Sequence, residues 1–273
     1  DAGAALQKRW HRTANGRIQY AYAPRFALSC TRELLEAVAA LAKINDLLVH
    51  THTNEDPNER AAIEAATARA PITYLAETGI ASERAVAAHG VHVDDAELAQ
   101  LQATRMSITH CPTSNLKLGA GVADVDRLRK ARVTVGLGAD GAACNNRLDA
   151  FEEARLASLL ARTLHGQHTL TAADALVMAT REGAKALHMD SEIGTIEVGK
   201  RADLIVLDPS RLAGPAGDPA TRIVFGGGGR AVRDVLVDGT ALVRDGRAQL
   251  FDANEIRAKA SEAHAALVAR AGL

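Results

Sequence analysis

The amino-acid sequence predicts an α/β protein with parallel strands. From about residue 17 to 187, short β-rich runs alternate with longer helical ones, and each β-rich run ends in a polar or Gly/Pro-containing loop, the pattern of strands joined by crossover helices. Near residue 190 the pattern changes to apolar and polar residues alternating around Gly-containing turns, which predicts a small antiparallel β unit.

The five predicted strands span 18–23, 47–52, 85–92, 107–111 and 133–139. Among the predicted helices, 31–44 carries Leu34, Leu35, Val38 and Leu41 at helical spacing, and 124–132 is a second crossover. Further helices follow at 148–162 and 171–187, where Thr171 and Asp174 form a capping-box pair that satisfies free amides at the helix start. On helix 148–162, Glu152, Glu153 and Arg155 read as a solvated face. The antiparallel unit covers 194–208 and 231–247. Between these, 214–229 contains Pro215, Pro219 and the run Gly226 to Gly229, so backbone entropy predicts a mobile loop without regular structure. An alanine-rich terminal helix is expected over 253–269.

Composition excludes several function classes. The chain has 32 Lys plus Arg against 33 Asp plus Glu, a net charge of −1, and only 3% aromatics, so neither nucleic acid nor a membrane surface is an expected partner. Apolar runs such as Leu156 to Leu160 stop far short of the roughly 20 residues needed to span a bilayer. Cys30, Cys111 and Cys144 are too scattered for a disulfide framework, and Cys111 and Cys144 are assigned to packing; a reducing cytoplasm is the expected location. The first residue is Asp1 rather than Met, so the sequence reads as the continuation of a longer one.

The residues that carry chemistry cluster at predicted strand ends. In LLVHTHTNE, an apolar strand closes on His50 and His52, which share a face because they are two apart, with Glu55 three residues on. A neutral imidazole there can bind zinc and a nearby carboxylate can shuttle protons, although such a pair by itself fits a surface site equally well. In VTVGLGADGAACNN a strand runs out at Asp140, which reads either as a metal ligand or base or as a turn-forming Asp before Gly141. His89, His92, His110, Ser114 and Asn115 lie at further strand ends. Each histidine alone reads as a hydrogen-bonded core group; their recurrence strand after strand points to one convergent site.

In order along the chain, APRFALSCTRELL, HTHTNE, AAHGVH, HCPTSNLKLGAG, GLGADGAACNNRLDAFEEARLASLLA and GTIEVGKRADLIVLD resemble the amidohydrolase superfamily, in its aminohydrolase branch of adenosine-type deaminases, guanine deaminases and triazine hydrolases. The resemblance spans about 18–250. It implies a (β/α)8 TIM barrel with a small β-sandwich domain. It further implies that His52 binds metal, that Glu55 shuttles protons and touches substrate, that His89 faces the water or substrate, and that Asp140 binds metal and orients the nucleophile. Arg25 matches an arginine that contacts the purine; His50 stays outside the ligand set. The superfamily opens its site with a His-x-His pair on the first strand. No such pair precedes residue 18, and His11 stands alone in a segment that reads as helical. The expected architecture is therefore partial, about strands four to eight: barrel over 1–193, accessory β domain over 194–250 and a helix over 251–273, with two of four protein metal ligands.

The function implied is hydrolytic deamination of a purine base or nucleoside, with one divalent ion, Zn2+ or in its place Fe2+. Adenosine-type substrates lead because GADGAACNNRLDAFEEARLASLLA followed by LHG is closer to deaminases of that kind, while PRFALSC is shared with guanine deaminases. Chloride or alkylamine displacement from triazines uses the same water attack and is an alternative. So is an inactive piece, because an unclosed barrel leaves sheet edges unpaired. The expected partner is a small heterocyclic amine, and the resemblance allows a homo-oligomer.

Overall fold

The computed structural model describes residues 2–272; Asp1 and Leu273, the outer ends of the first and last expected segments, lie outside them. Five parallel strands form one sheet in sequence order: β1 (Ala21–Tyr22), β2 (Leu48–Thr53), β3 (Ala85–His89), β4 (Ser107–His110) and β5 (Val135–Leu137). All five predicted strands are present, generally shorter than expected. β1 loses its first residues because Ile18 turns back to pair with Thr13, and the Tyr20 N–H donates to His11 Nδ1 at 3.2 Å. β3 stops at His89, whose φ of +78° ends the extended chain.

Register fixes heights along the sheet. Thr53 lies opposite His89, and His110 opposite Leu137, so the functional segments leave the sheet on one edge. β2 buries Val49, Thr51 and Thr53 on one face while His50 and His52 stand on the other, as the spacing of two predicts. The buried face packs on helices: Leu35, Ile63, Ile72, Leu101, Ile108 and Met178 are fully buried in one core. At an order of about 1.5–3 kcal/mol for each large apolar side chain, this burial is the main stabilising term.

Residues 172–186 are helical, with Thr171 and Leu187 as caps, but the helix is not uniform. Thr171 and Asp174 make the expected capping box, then Met178–Glu182 widens into a π-helical turn before Gly183–Ala186. The widened turn passes β5 closely: a Cβ on Gly136 would lie 3.2 Å from the Gly183 Cα.

Two expectations are overturned. Residues 214–229 hold a regular element, the helix Pro219–Gly226. Pro219 sits in its first turn, where no N–H is needed, the Asp218 carboxylate accepts from the Thr221 N–H at 2.7 Å, and Val224 packs with Ala154, Ala172 and Ala175. Capping and apolar burial outweigh the entropy of Gly226, the last residue of the helix, and the rest of the glycine run follows the helix. The second correction concerns Glu153, which is 1% exposed and not part of a solvated face. It shares the inward stripe of the helix Ala150–His165 with Ala157 and Ala161, at intervals of four.

The antiparallel unit is a four-stranded sheet of β6 (Leu204–Leu207), β7 (Val232–Val237), β8 (Thr240–Arg244) and β9 (Arg247–Ala248). Asp238 and Gly239 join β7 to β8, and Asp245 and Gly246 join β8 to β9; all four have positive φ, as two-residue hairpin turns require. A terminal helix runs over Ala253–Ala271. No helix among the described residues is long and apolar enough to cross a membrane.

One buried carboxylate ties several elements together below the site. Glu97, fully buried, accepts from Asn54 Nδ2 at 2.9 Å, the Ile72 N–H at 2.9 Å and Arg60 at 2.5 Å. Removing one partner of a buried pair strands the other, so Glu97→Ala is expected to cost about 3–5 kcal/mol, read from urea unfolding midpoints.

Candidate metal centre and active site

The polar edge of the parallel sheet is built where three strands end. Asn54 after β2, His89 at the end of β3 and Asp140 after β5 all have positive φ, at +54°, +78° and +58°. These left-handed residues turn the chain sharply off the sheet at some local cost in strain. Gly138, just before Asp140, has no room for a side chain: a Cβ there would meet Thr109 Cγ2 at 2.4 Å.

His52, His89 and Asp140 bring one donor atom each to within 4.8 Å of one another. Glu55 lies beside them, its Oε2 3.5 Å from His89 Nε2. The four residues singled out by sequence therefore meet. Arg25 joins them through its backbone. Its carbonyl oxygen accepts from the His52 N–H at 2.9 Å and from His52 Nδ1 at 2.7 Å, while its exposed guanidinium lies 5.5 Å from the centre of the Phe26 ring. His50 is exposed and outside the cluster, its ring edge-on to His52 at 5.7 Å.

Each imidazole is oriented by its far nitrogen. His52 Nδ1 faces the Arg25 carbonyl, and His89 Nδ1 faces the Asn115 side-chain oxygen at 2.8 Å. Both acceptors are carbonyl oxygens, so each Nδ1 carries the proton and each Nε2 a lone pair. His89 Nε2 is buried without a hydrogen-bond partner, an arrangement that is costly for a neutral core histidine and suited to a cation or a polar ligand. Two imidazoles and a carboxylate form a donor set that fits a divalent ion of Zn2+ type, and the outer hydrogen bonds have the form that orients ligating histidines.

Asp140 is held as a charged acceptor. Burial by itself would raise its pKa. The Ser114 hydroxyl at 2.5 Å, the Gly141 N–H at 2.7 Å and the nearby imidazoles of His89 and His52 outweigh burial and hold the carboxyl below its ordinary range. Burial drives the Cys111 thiol up to about 12, with the charges of Asp140 and Glu153 adding to the effect, so it stays protonated and serves packing as expected.

The remaining strand-end groups divide. Ser114 and Asn115 contact the cluster, whereas His92 turns to the backbone, its Nε2–H donating to the Ala120 carbonyl at 2.8 Å. Sequence reasoning missed Glu59, whose Oε2 accepts the Glu55 N–H at 2.9 Å. Burial raises the Glu59 pKa against hydrogen bonds from the Glu55 and Asp56 backbone. It also missed Asn145, which donates to the Ala139 carbonyl at 2.8 Å and to Glu153 at 2.7 Å. The signal available for Glu153 was its helical spacing from Ala157 and Ala161.

Residues 3–242 match the amidohydrolase family. The chain belongs to this family. Among relatives of this amidohydrolase, a 5-methylthioadenosine/S-adenosylhomocysteine deaminase of Moorella thermoacetica is 38% identical over 96% of the chain and 62% of its own length. A 5'-deoxyadenosine deaminase of Methanothermobacter thermautotrophicus is 39% identical over 95% and 61%. In structure, an adenosine deaminase from Xanthomonas campestris with bound zinc superposes with a TM-score of 0.92 at 32% identity, covering 96% of this chain and 60% of that one. The chain thus spans about three fifths of the length of the relatives it matches.

His110 yields a pH prediction. Fully buried at the end of β4, it is driven by burial, and then by neighbouring His89, from 6.5 down to about 4. The unfolded chain takes up this proton from about pH 6.5 downward, the folded chain only near 4. Acidification through that window should therefore cost about 3 kcal/mol, at about 1.4 kcal/mol per unit. His110→Gln is expected to flatten that slope in urea unfolding measured from pH 7 to 4.

Proposed function

We propose that the chain carries the metal-binding and proton-transfer residues of a hydrolytic deaminase acting on adenosine-type nucleosides. The observation that carries this reading is the convergence of His52, His89 and Asp140 donors within 4.8 Å, with Glu55 alongside. The sequential order of five parallel strands supports a segment of a (β/α)8 barrel, about strands four to eight, with 1–193, 194–250 and 251–273 as barrel, accessory β domain and terminal helix. Similarity to deaminases of 5'-deoxyadenosine and S-adenosylhomocysteine supports the substrate class.

In this reading His52 and Asp140 hold one divalent ion, Zn2+ before Fe2+. When bound, the ion supplies the Lewis acidity that makes water a nucleophile at neutral pH. Asp140, ionised and anchored by Ser114 and Gly141, accepts a proton from the water and aims it at the amino-bearing ring carbon. Glu55 delivers a proton to the ring nitrogen. His89, fixed by Asn115 and only 3.5 Å from Glu55, faces the reacting carbon with Nε2 and, when that nitrogen also carries a proton, stabilises charge developing there. The proton taken up by Asp140 passes to the amino group, which leaves as ammonia, and the new hydroxyl returns a proton to Glu55 as the ring carbonyl forms. Arg25 is assigned to the purine.

The test is ammonia or chloride release from 5'-deoxyadenosine, S-adenosylhomocysteine, methylthioadenosine, guanine and a triazine, with zinc content measured in parallel. It is run on this chain and on the longest reading frame containing it. Adenosine-type turnover with about one zinc per chain is expected in the longer form. Guanine or triazine turnover instead overturns the substrate class, and no zinc in either form overturns the metal reading. In the active form, Glu55→Gln should lower turnover by about 100- to 10,000-fold with zinc retained.

A further inference from the structure

The bonds made by Glu153 converge on the two loops of the site. Its Oε1 accepts Asn145 Nδ2 at 2.7 Å, and its Oε2 accepts the Thr113 N–H at 3.1 Å. Asn145 is itself tied into the loop after β5: its Nδ2 donates to the Ala139 carbonyl, and its Oδ1 accepts the Arg147 and Leu148 N–H groups at 3.2 and 3.0 Å. Thr113 immediately precedes Ser114 and Asn115, the side chains that hold Asp140 and His89. At the solvent side, Lys117 Nζ makes a looser tie between the same loops, donating to the Ala143 carbonyl at 2.7 Å and to Asn146 Oδ1.

We propose that Glu153 is a positioning residue for the candidate site, clamping the loop that carries Asp140 to the turn that carries Ser114 and Asn115. The inference rests on the metal reading above for its consequence, though not for the clamp itself. Its chemistry is specific to a carboxylate. Both partners are N–H donors, and a carboxylate offers two acceptors, whereas an amide would set its own NH2 against one of them. Burying a carboxylate against neutral donors is costly where an apolar side chain could fill the helix stripe, so the group's value lies in the geometry it fixes. A displacement of these loops would move Ser114 off Asp140 and Asn115 off His89, loosening two donors of the cluster together. Outer partners of this kind typically change metal affinity by about 10- to 100-fold.

The test compares the protein with E153Q and with the reversed pair E153Q/N145D. In the double variant the amide on 153 accepts from the Thr113 N–H and donates to the carboxylate on 145, restoring that link with opposite polarity but giving up the bond from residue 145 to the Ala139 carbonyl. Hydrogen exchange is read over 112–117 and 139–146, with 232–244 in the antiparallel sheet as the internal control. Co2+ affinity is read by visible absorption. E153Q should raise exchange in both loops but not in 232–244 and weaken Co2+ binding about tenfold or more, and the double variant should reverse the rise over 112–117 and part of the rise over 139–146 and of the loss of Co2+ affinity. Unchanged loop exchange overturns the clamp. A rise that includes 232–244 overturns positioning in favour of a purely structural role, and faster loop exchange with unaltered Co2+ affinity overturns the link to the ligands. Absence of Co2+ binding in the unmodified protein overturns the metal reading, while loop exchange still decides the clamp.

Discussion

Parallel pairing places the carboxyl ends of β2, β3, β4 and β5 on one edge, and the rest of the site follows from how the chain leaves that edge. In-register pairing of Thr53 with His89 and of His110 with Leu137 sets the heights at which functional groups emerge. An extended chain continuing past those points would carry Glu55 and Asp140 away from the histidines. Instead Asn54, His89 and Asp140 adopt left-handed backbone, each a conformation costing of order 1 kcal/mol or more, and the core beneath the sheet is large enough to impose it. Asn, His and Asp tolerate this region better than branched residues, so the residues that serve chemistry are also those that can make the turn.

Polar pairing decides which groups are available once there. The Arg25 and Asn115 oxygens fix the proton on each Nδ1, leaving His52 and His89 to offer lone pairs inward. Ser114 and the Gly141 N–H keep Asp140 ionised despite partial burial, whereas Cys111, close to the same carboxylate, is held as a thiol by burial and by that negative charge. One charge thus has opposite consequences for its neighbours. It draws a cation or water toward the imidazoles and removes the one buried thiolate that would compete for a soft metal.

Much of this was legible in the sequence because periodicity and motif order are local properties. The five strands, the shared face of His50 and His52, the Thr171 capping box and the four residues His52, Glu55, His89 and Asp140 required only spacing and resemblance to locate. What escaped depended on contacts distant in sequence. The helix Pro219–Gly226 forms because Val224 finds Ala154, Ala172 and Ala175, none of them predictable from a glycine-rich stretch. The motif marks Arg25 for its guanidinium, whereas the contact it makes to His52 uses a carbonyl, which every residue has. Glu153 looked solvated because a charged residue is seldom buried; its acceptors are needed by Thr113 and Asn145, which lie on other elements.

The two missed or underread buried glutamates obey one rule. Glu97 accepts from the Ile72 N–H, directly after Pro71 in the first turn of a short helix, and from Asn54, the residue before Glu55. Glu153 accepts from the Thr113 N–H, directly after Pro112 in the first turn of another short helix, and from Asn145, which grips the carbonyl preceding Asp140. In both cases proline leaves its successor's amide as a free donor at a helix start, and an Asn side chain relays the anchor to a segment carrying an acid of the site. The difference is Arg60, which balances Glu97 and has no counterpart in the hydrogen bonds to Glu153. Arg60 offsets the charge buried with Glu97. Without such an offset Glu153 is the costlier group to bury, which fits the positioning role proposed for it.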